Sequence, residues 1–181
     1  MGRATPRVDE LLRPERRLLP EALSDEGIAP ADLVAIANSH LHIDHCGQNH
    51  LFPGVPIYVQ RAEYEAAHSP NYTVPGWVDF PGASYELLDG DAGMIESVRL
   101  ISTPGHTPGH QSLVVTTGEG LVMLAGQAVY TAAEWEGATN GRRAGLETAW
   151  DRERYARSVA RLRDLDPRRV FFSHDETVWE P

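Results

Sequence analysis

The stretch "NSHLHIDHCG", residues 38–47, follows directly on the apolar run "LVAIA" at 33–37 and places three histidines and an aspartate within six positions. His40 and His42 alternate with Leu41 and Ile43, and Asp44 keeps the beat. In extended chain that period sends the polar groups one way and the apolar pair the other, so Leu41 and Ile43 are expected in a core beneath a row of donors. Zinc takes neutral imidazole nitrogens and carboxylate oxygens as ligands, and a catalytic zinc leaves a position open for water. His40, His42, Asp44 and His45 supply four such groups, but the backbone between them is too short to wrap all four around one tetrahedral ion. Two ions sharing the cluster is the easier geometry, with the remaining ligands arriving from elsewhere in the chain.

The pattern of an apolar run passing at once into a turn-rich polar segment occurs three more times. "VRLIS" (98–102) runs into "TPGHTPGH", "LVMLA" (121–125) into "GQAVYT", and "VFFS" (170–173) into His174 and Asp175. Each run is short and rich in β-branched, leucine or aromatic residues, which reads as a buried strand. The strand ends carry His106, Gln127 and His174, the further donors the cluster calls for. Helical signals lie between the strands: Pro20 opening "PEALSDEG", Pro30 before "ADL", "RAEYEAAH", and the long "DRERYARSVARLRDLD" closed by Pro167. Strands alternating with helices predict an α/β or α+β layered architecture, with helices covering sheet faces. The stretch "SPNYTVPGWVDFPGASY" (69–85) has no period of its own and reads as a long loop of the kind that carries function.

Composition narrows the partners. A chain of 181 residues, 41% hydrophobic and 23% charged, is long enough for one domain with a sizeable core. The formal charge of -10, from 26 acidic and 16 basic side chains, opposes binding to a nucleic-acid backbone. Cys46 is the only cysteine, which excludes an intramolecular disulfide. No run reaches bilayer-spanning length, and the mixed-charge N-terminus does not read as a secretory signal, so a cytoplasmic location without membrane attachment is expected.

"HLHIDHCGQN", "TPGHTPGHQSL", "LAGQAVYT" and "FFSHD" resemble the metallo-β-lactamase superfamily, and within it are most similar to the N-acyl homoserine lactonases. The resemblance runs from about residue 18 to the C-terminus, which divides the chain into a charged segment 1–17 and a single domain 18–181. It implies an αββα sandwich with a dinuclear metal site at one sheet edge, zinc being the expected metal. By the family pattern His40, His42 and His106 would hold one ion, and Asp44, His45 and His174 the other. Tyr130 matches the tyrosine that hydrogen-bonds the substrate carbonyl in the lactonases. The implied reaction is opening of a lactone ring, best an N-acyl homoserine lactone, by metal-bound hydroxide, with Asp44 steering the hydroxide or shuttling a proton.

The chain departs from the pattern in two places. Gln127 stands where the family has its bridging aspartate. An amide is uncharged, and each unit of opposite charge lost about 4 Å from another removes about 4 kcal/mol of attraction at an effective dielectric of about 20. The second metal is therefore expected to bind more weakly than in the family at large. The family also carries strands ahead of the region matching Leu18. Part of the N-terminal sheet is accordingly expected to be missing, with an open sheet edge and self-association as the consequence.

Two other functions remain open. A thioester hydrolase of the glyoxalase II kind uses a similar ligand set and would want basic residues such as Arg142 and Arg143 near the site. A catalytically silent metal-binding module would account for Gln127. Among the remaining candidates, His110 reads as a structural histidine, His50 and His68 as surface groups, and Cys46 as a small buried filler. Trp77, Phe80, Trp135 and Trp150 read as core or loop anchors for at least half of their number, and otherwise as an apolar wall for an acyl chain.

Overall fold

The computed structural model describes residues 17–137 and 144–181. Residues 17–33 and 34–181 form separate compact units. In the first, helix α1 (Leu19–Asp25) begins with Pro20 in its opening turn, where the missing N–H costs nothing. It ends at Gly27, whose positive φ of 74° lets the amide of Ile28 turn back to the carbonyl of Leu23. A single 3-10 turn, Pro30–Asp32, follows.

The second unit holds two sheets. Strands β1 (Ile36–Ala37), β2 (Pro56–Gln60) and β3 (Ser84–Leu88) form a parallel sheet in that order. Strands β4 (Ala92–Ile95), β5 (Val98–Ser102), β6 (Gln111–Thr117), β7 (Gly120–Leu124), β8 (Arg169–Phe172) and β9 (Asp175–Trp179) form the other, also in chain order. Every pair in this larger sheet is antiparallel except β7 with β8. A parallel neighbour requires a long crossover, and the chain between Leu124 and Arg169 supplies it with helices α5 (Ala132–Trp135), α6 (Ala144–Thr148) and α7 (Arg152–Arg163).

The reasons for α7 are local. The Asp151 carboxylate accepts the amides of Glu153 and Arg154, both at 3.0 Å, which satisfies two of the donors a helix start leaves free. Arg161 and Arg163 sit in the last turn, where the helix dipole favours cations. Tyr155, Ser158 and Leu162 form the buried stripe. Leu162 joins Ile101, Val114, Met123 and Val170 of the large sheet, together with Trp135, in one core. Each such side chain, once fully buried, contributes about 1.5–3 kcal/mol. Leu41, Cys46, Val59, Ala67 and Val78 form a second core under the smaller sheet.

The opposite face of the large sheet carries a transverse row in register, Leu100, Leu113, Leu124 and Phe171. Leu100 is buried, whereas Leu124 is 46% and Phe171 40% exposed. The two sheets are stitched by amides. The Gln60 side chain donates to Gln111 Oε1 at 2.9 Å, and the Gln111 amide donates to the carbonyls of Asn38 and Tyr58.

The layered α+β class read from the sequence holds. Residues 98–102 form a strand over the whole of the expected run, and the other two runs of the large sheet shift by one residue. Two local expectations fail. "LVAIA" pairs only at Ile36 and Ala37, with Val34 85% exposed. The stretch 69–85 is not structureless: it holds a helical turn, α4 (Pro75–Val78), and its last two residues open β3. Residues 1–16, which make up nearly all of the charged N-terminal segment, lie outside the described residues, as do Arg142 and Arg143. Among the described residues no helix is long and apolar enough to cross a membrane.

Candidate metal centre

Four strand ends meet at one place: the segment after β1 brings His40 to His45, that after β5 brings His106, that after β7 brings Gln127 and Tyr130, and that after β8 brings His174. The extended reading of the first segment stops at His42. Residues Ile43–Cys46 form a helical turn, α2, closed by the amides of His45 and Cys46 donating to the carbonyl of His42 at 3.0 Å. This corrects the expectation for Ile43, which is 54% exposed, while Leu41 is fully buried. The turn also swings Asp44 and His45 around to the same side as His40.

Two donor groups converge. Ligand atoms of His40, His42 and His106 lie within 4.8 Å of one another, as do those of His40, Asp44 and His45. His40 Nε2 is 3.1 Å from His42 Nδ1. The His106 ring lies edge-on to both, at 4.7 and 5.1 Å between centroids, and its Nε2 is buried with no hydrogen-bond partner. On the other side Asp44 Oδ2 is 3.4 Å from His45 Nε2 and 3.5 Å from His174 Nε2. His45 Nε2 is likewise buried without a hydrogen bond.

Buried polar atoms are normally paired, so orphaned nitrogens aimed into one space are a physical sign of an absent partner. The protonation states agree. Burial first, and the neighbouring imidazoles after it, hold His40, His42 and His106 below the ordinary imidazole value, His106 at about 4. The adjacent His45 holds the Asp44 carboxyl down to about 2. At neutral pH His40, His42 and His106 therefore present unprotonated nitrogens and Asp44 an ionised carboxylate, the forms that ligate a divalent cation. The residues present fit such an ion.

Several neighbours that the sequence did not single out hold these groups in place. The Ser39 hydroxyl lies 3.1 Å from His40 Nδ1 and 3.3 Å from His45 Nδ1, leaving the Nε2 atom of each ring for the centre. The Asn38 amide donates to the carbonyl of His45 at 3.1 Å. Glu63, fully buried, accepts from the Leu41 amide between His40 and His42, and from the Thr107 hydroxyl beside His106. Its position in the opening turn of helix α3 (Arg61–Ala67) looks like ordinary helix surface in sequence.

His110 lies outside both donor groups. It accepts the Gln127 backbone N–H at Nε2, 2.9 Å, so its Nδ1 carries the proton and donates to the Thr103 hydroxyl at 2.8 Å. Complete burial keeps its pKa well down.

At the expected bridging position the Gln127 amide nitrogen lies 2.7 Å from His174 Nε2, while Gln127 Oε1 is buried and unpaired. The Tyr130 ring stacks on His174 at 5.5 Å, and its hydroxyl is 3.4 Å from His106 Nδ1. The Tyr130 amide is anchored on Glu134 at 3.0 Å. Asp175 accepts the amides of Ala132 and Thr177, fixing the turn that presents His174.

Cys46 is fully buried, and burial lifts its thiol to about 11, so it offers neither a nucleophile nor a thiolate ligand. Of the aromatics, Trp135 and Phe80 are buried and Trp77 packs against the second core. Trp150 alone of the four is open, 57% exposed with Arg154 over its ring.

Residues 6–174 match the family model of the metallo-β-lactamase superfamily, and the chain belongs to that superfamily. It is similar to an N-acyl homoserine lactonase of a Bacillus species, 38% identical over 179 residues, 96% of this chain and 66% of the relative. It is similar also to the N-acyl homoserine lactonase of Bacillus cereus, 39% identical over 153 residues, 82% of this chain and 58% of the relative. A solved N-acyl homoserine lactone hydrolase, with the product N-hexanoyl-L-homoserine at its catalytic metal centre, superposes with a TM-score of 0.74 at 36% identity. That match covers 87% of this chain and 62% of the other. A dizinc quorum-quenching lactonase shares the fold at 19% identity, with a TM-score of 0.68 over 91% of this chain and 66% of that one. The chain thus spans roughly three-fifths to two-thirds of the length of the curated relatives it matches.

Proposed function

We propose that this chain belongs to a metal-dependent hydrolase that opens a lactone ring, with an N-acyl homoserine lactone as the substrate. The observation that carries the reading is the convergence of His40 Nε2, His42 Nδ1 and the orphaned His106 Nε2. The names of the relatives and the product bound in the solved hydrolase supply the substrate class. His40, His42 and His106 would hold one zinc ion, and Asp44, His45 and His174 a second. When bound, a divalent metal lowers the pKa of water and polarises a carbonyl oxygen.

The chain's own groups do the rest. The Tyr130 hydroxyl, between His106 and the His174 ring, donates to the carbonyl oxygen as negative charge develops there. Asp44, ionised at neutral pH, orients water, takes up its proton and passes it to the alkoxide oxygen that departs as the ring opens. Ile43, exposed between His42 and Asp44, offers apolar surface to an acyl chain.

Gln127 supports unequal metal sites. Its amide donates to the nitrogen that His174 would give a second ion, and it brings no charge. The His40, His42 and His106 site binds tightly, and the other binds weakly. The exposed Leu124 and Phe171 support self-association, which size-exclusion chromatography tests, a concentration-independent monomer arguing against it. The unpaired thiol of Cys46 fits a reducing compartment such as the cytoplasm.

The test of the activity is direct. Zinc-loaded protein is incubated with N-hexanoyl homoserine lactone and with a glutathione thioester, and ring opening is followed by NMR. Metal-dependent opening of the lactone is the expected result. Thioester hydrolysis alone would transfer the chain to the glyoxalase II class, and no turnover of either would make it a silent metal binder.

A further inference from the structure

We infer that Glu63 is the positioning residue that sets the two arms of the His40, His42 and His106 site at their binding distance. The inference rests on the reading that these three histidines hold a metal. Among the described residues the hydrogen-bond partners of Glu63 include not the histidines themselves but the residue next to each. Its Oε1 accepts the amide of Leu41, the residue between His40 and His42, at 2.9 Å. Its Oε2 accepts the hydroxyl of Thr107, directly after His106, at 2.6 Å, and the amide of Gly109 at 3.2 Å. The Tyr72 hydroxyl donates to Oε1 as well, and the Tyr72 ring packs on His42 with centroids 4.8 Å apart. One fully buried carboxylate thus ties together the arm from the small sheet, the arm from the large sheet and the ring that backs His42.

The chemistry requires a carboxylate. Two oxygens accept four donors here, two apiece. An amide of the same shape keeps one oxygen and replaces the other with an N–H pair that would face two donors. Glu63→Gln therefore loses the backbone hydrogen bond, to Leu41 or to Gly109, at whichever end its N–H pair faces, because only the Tyr72 or Thr107 hydroxyl there can turn to accept, and it frees one arm relative to the other. No arginine is among its hydrogen-bond partners in the described residues, so the carboxylate is not one half of a buried ion pair. Gly109 presses the second arm against it: a Cβ there would lie 2.2 Å from the Glu63 backbone nitrogen. The contact is backbone to backbone and has no room to adapt.

A purely structural carboxylate and a positioning one part company in how metal binding responds. The metal-free 181-residue chain, wild type and Glu63→Gln, is titrated with zinc against a chromophoric chelator and with cobalt(II) under visible absorption, and both forms are melted with and without zinc. The expected result is a loss of about 10–100-fold in zinc affinity, the range typical when a group supporting a ligand is removed. The cobalt bands should change in shape and intensity, and the rise in melting temperature on adding zinc should shrink. Should Glu63→Gln not fold, Tyr72→Phe and Thr107→Val each remove a single donor, and each is expected to cost about 2–10-fold in affinity. Variants that fold and bind zinc as tightly as wild type, with an unchanged cobalt spectrum, overturn the inference even where they melt earlier. Wild-type protein that binds no zinc at all sinks the metal reading itself, a result visible before any variant is compared.

Discussion

The two sides of the histidine cluster differ in how much protein stands behind them. On one side His40 is fully buried, His106 nearly so, and the residues beside each are tied to Glu63. On the other, the side chains of Asp44 and His174 are 48% and 41% exposed, and the nearest polar support for His174 is the Gln127 amide. A cation on the first side meets donors fixed in a medium that screens little. One on the second side competes with water for a half-solvated carboxylate. Adjacent residues of one motif therefore end in unlike surroundings, because the chain turns into a helix at Ile43 and leaves the core as it does so.

The largest effect expected from this asymmetry is on metal retention. His106→Ala should lose zinc by more than the about 100-fold that changes behind a ligand cost, whereas His174→Ala should keep close to one equivalent after exhaustive dialysis. Metal analysis by atomic absorption reads both, and equal losses would erase the distinction. Next comes packing across the same turn. Leu41→Ala should destabilise by about 2–5 kcal/mol in urea denaturation, as buried leucines do. Ile43→Ala, at an exposed position, should stay within about 1 kcal/mol of wild type.

A smaller effect should follow from charge. Gln127→Asp supplies the second side with the anion it lacks. Even a third of the about 4 kcal/mol that a unit charge gains at about 4 Å would tighten that site about tenfold. A second zinc equivalent surviving dialysis is the expected reading, and unchanged stoichiometry would locate the weakness elsewhere.

A separate effect, on stability and not on metal binding, concerns metal-free protein in acid. His106 has its pKa lowered from 6.5 to about 4, so between those values the unfolded chain binds a proton that the folded chain refuses. Stability should fall as pH drops from about 6.5 toward about 4, and buried His40 adds to it in the same direction. Melting curves of chelator-treated protein across that range check the sign. A rising melting temperature would contradict the burial of these rings.

Much of this was readable from residue order. The strands at 98–102, 120–124 and 169–172 announce themselves because each falls, to within one residue, on a short apolar run stopped by turn residues, and the superfamily follows from what stands at their ends. Other features were hidden for definite reasons. Period two cannot reveal that the chain leaves extended geometry at His42, since a helical turn of four residues is too short to show a period of its own. Glu63 sits in "RAEYEAAH", where any helix would place a solvated glutamate. Only tertiary contact with Leu41, Tyr72, Thr107 and Gly109 marks it as interior. The stretch 69–85 concealed the start of β3 because its prolines and glycines mask the alternation on which a strand reading depends.

The doubled "TPGHTPGH" gains a meaning from its glycines. A methyl group on Gly105 would sit 2.3 Å from Tyr155 Cα at the start of α7, and one on Gly109 would sit 2.2 Å from the Glu63 nitrogen in α3. The loop is a thin wafer gripped by a helix on either side, and its thickness sets how near those helices approach the histidines it carries. Natural or laboratory variation should thus find these two positions closed to every other amino acid, although neither carries a side chain that could take part in chemistry.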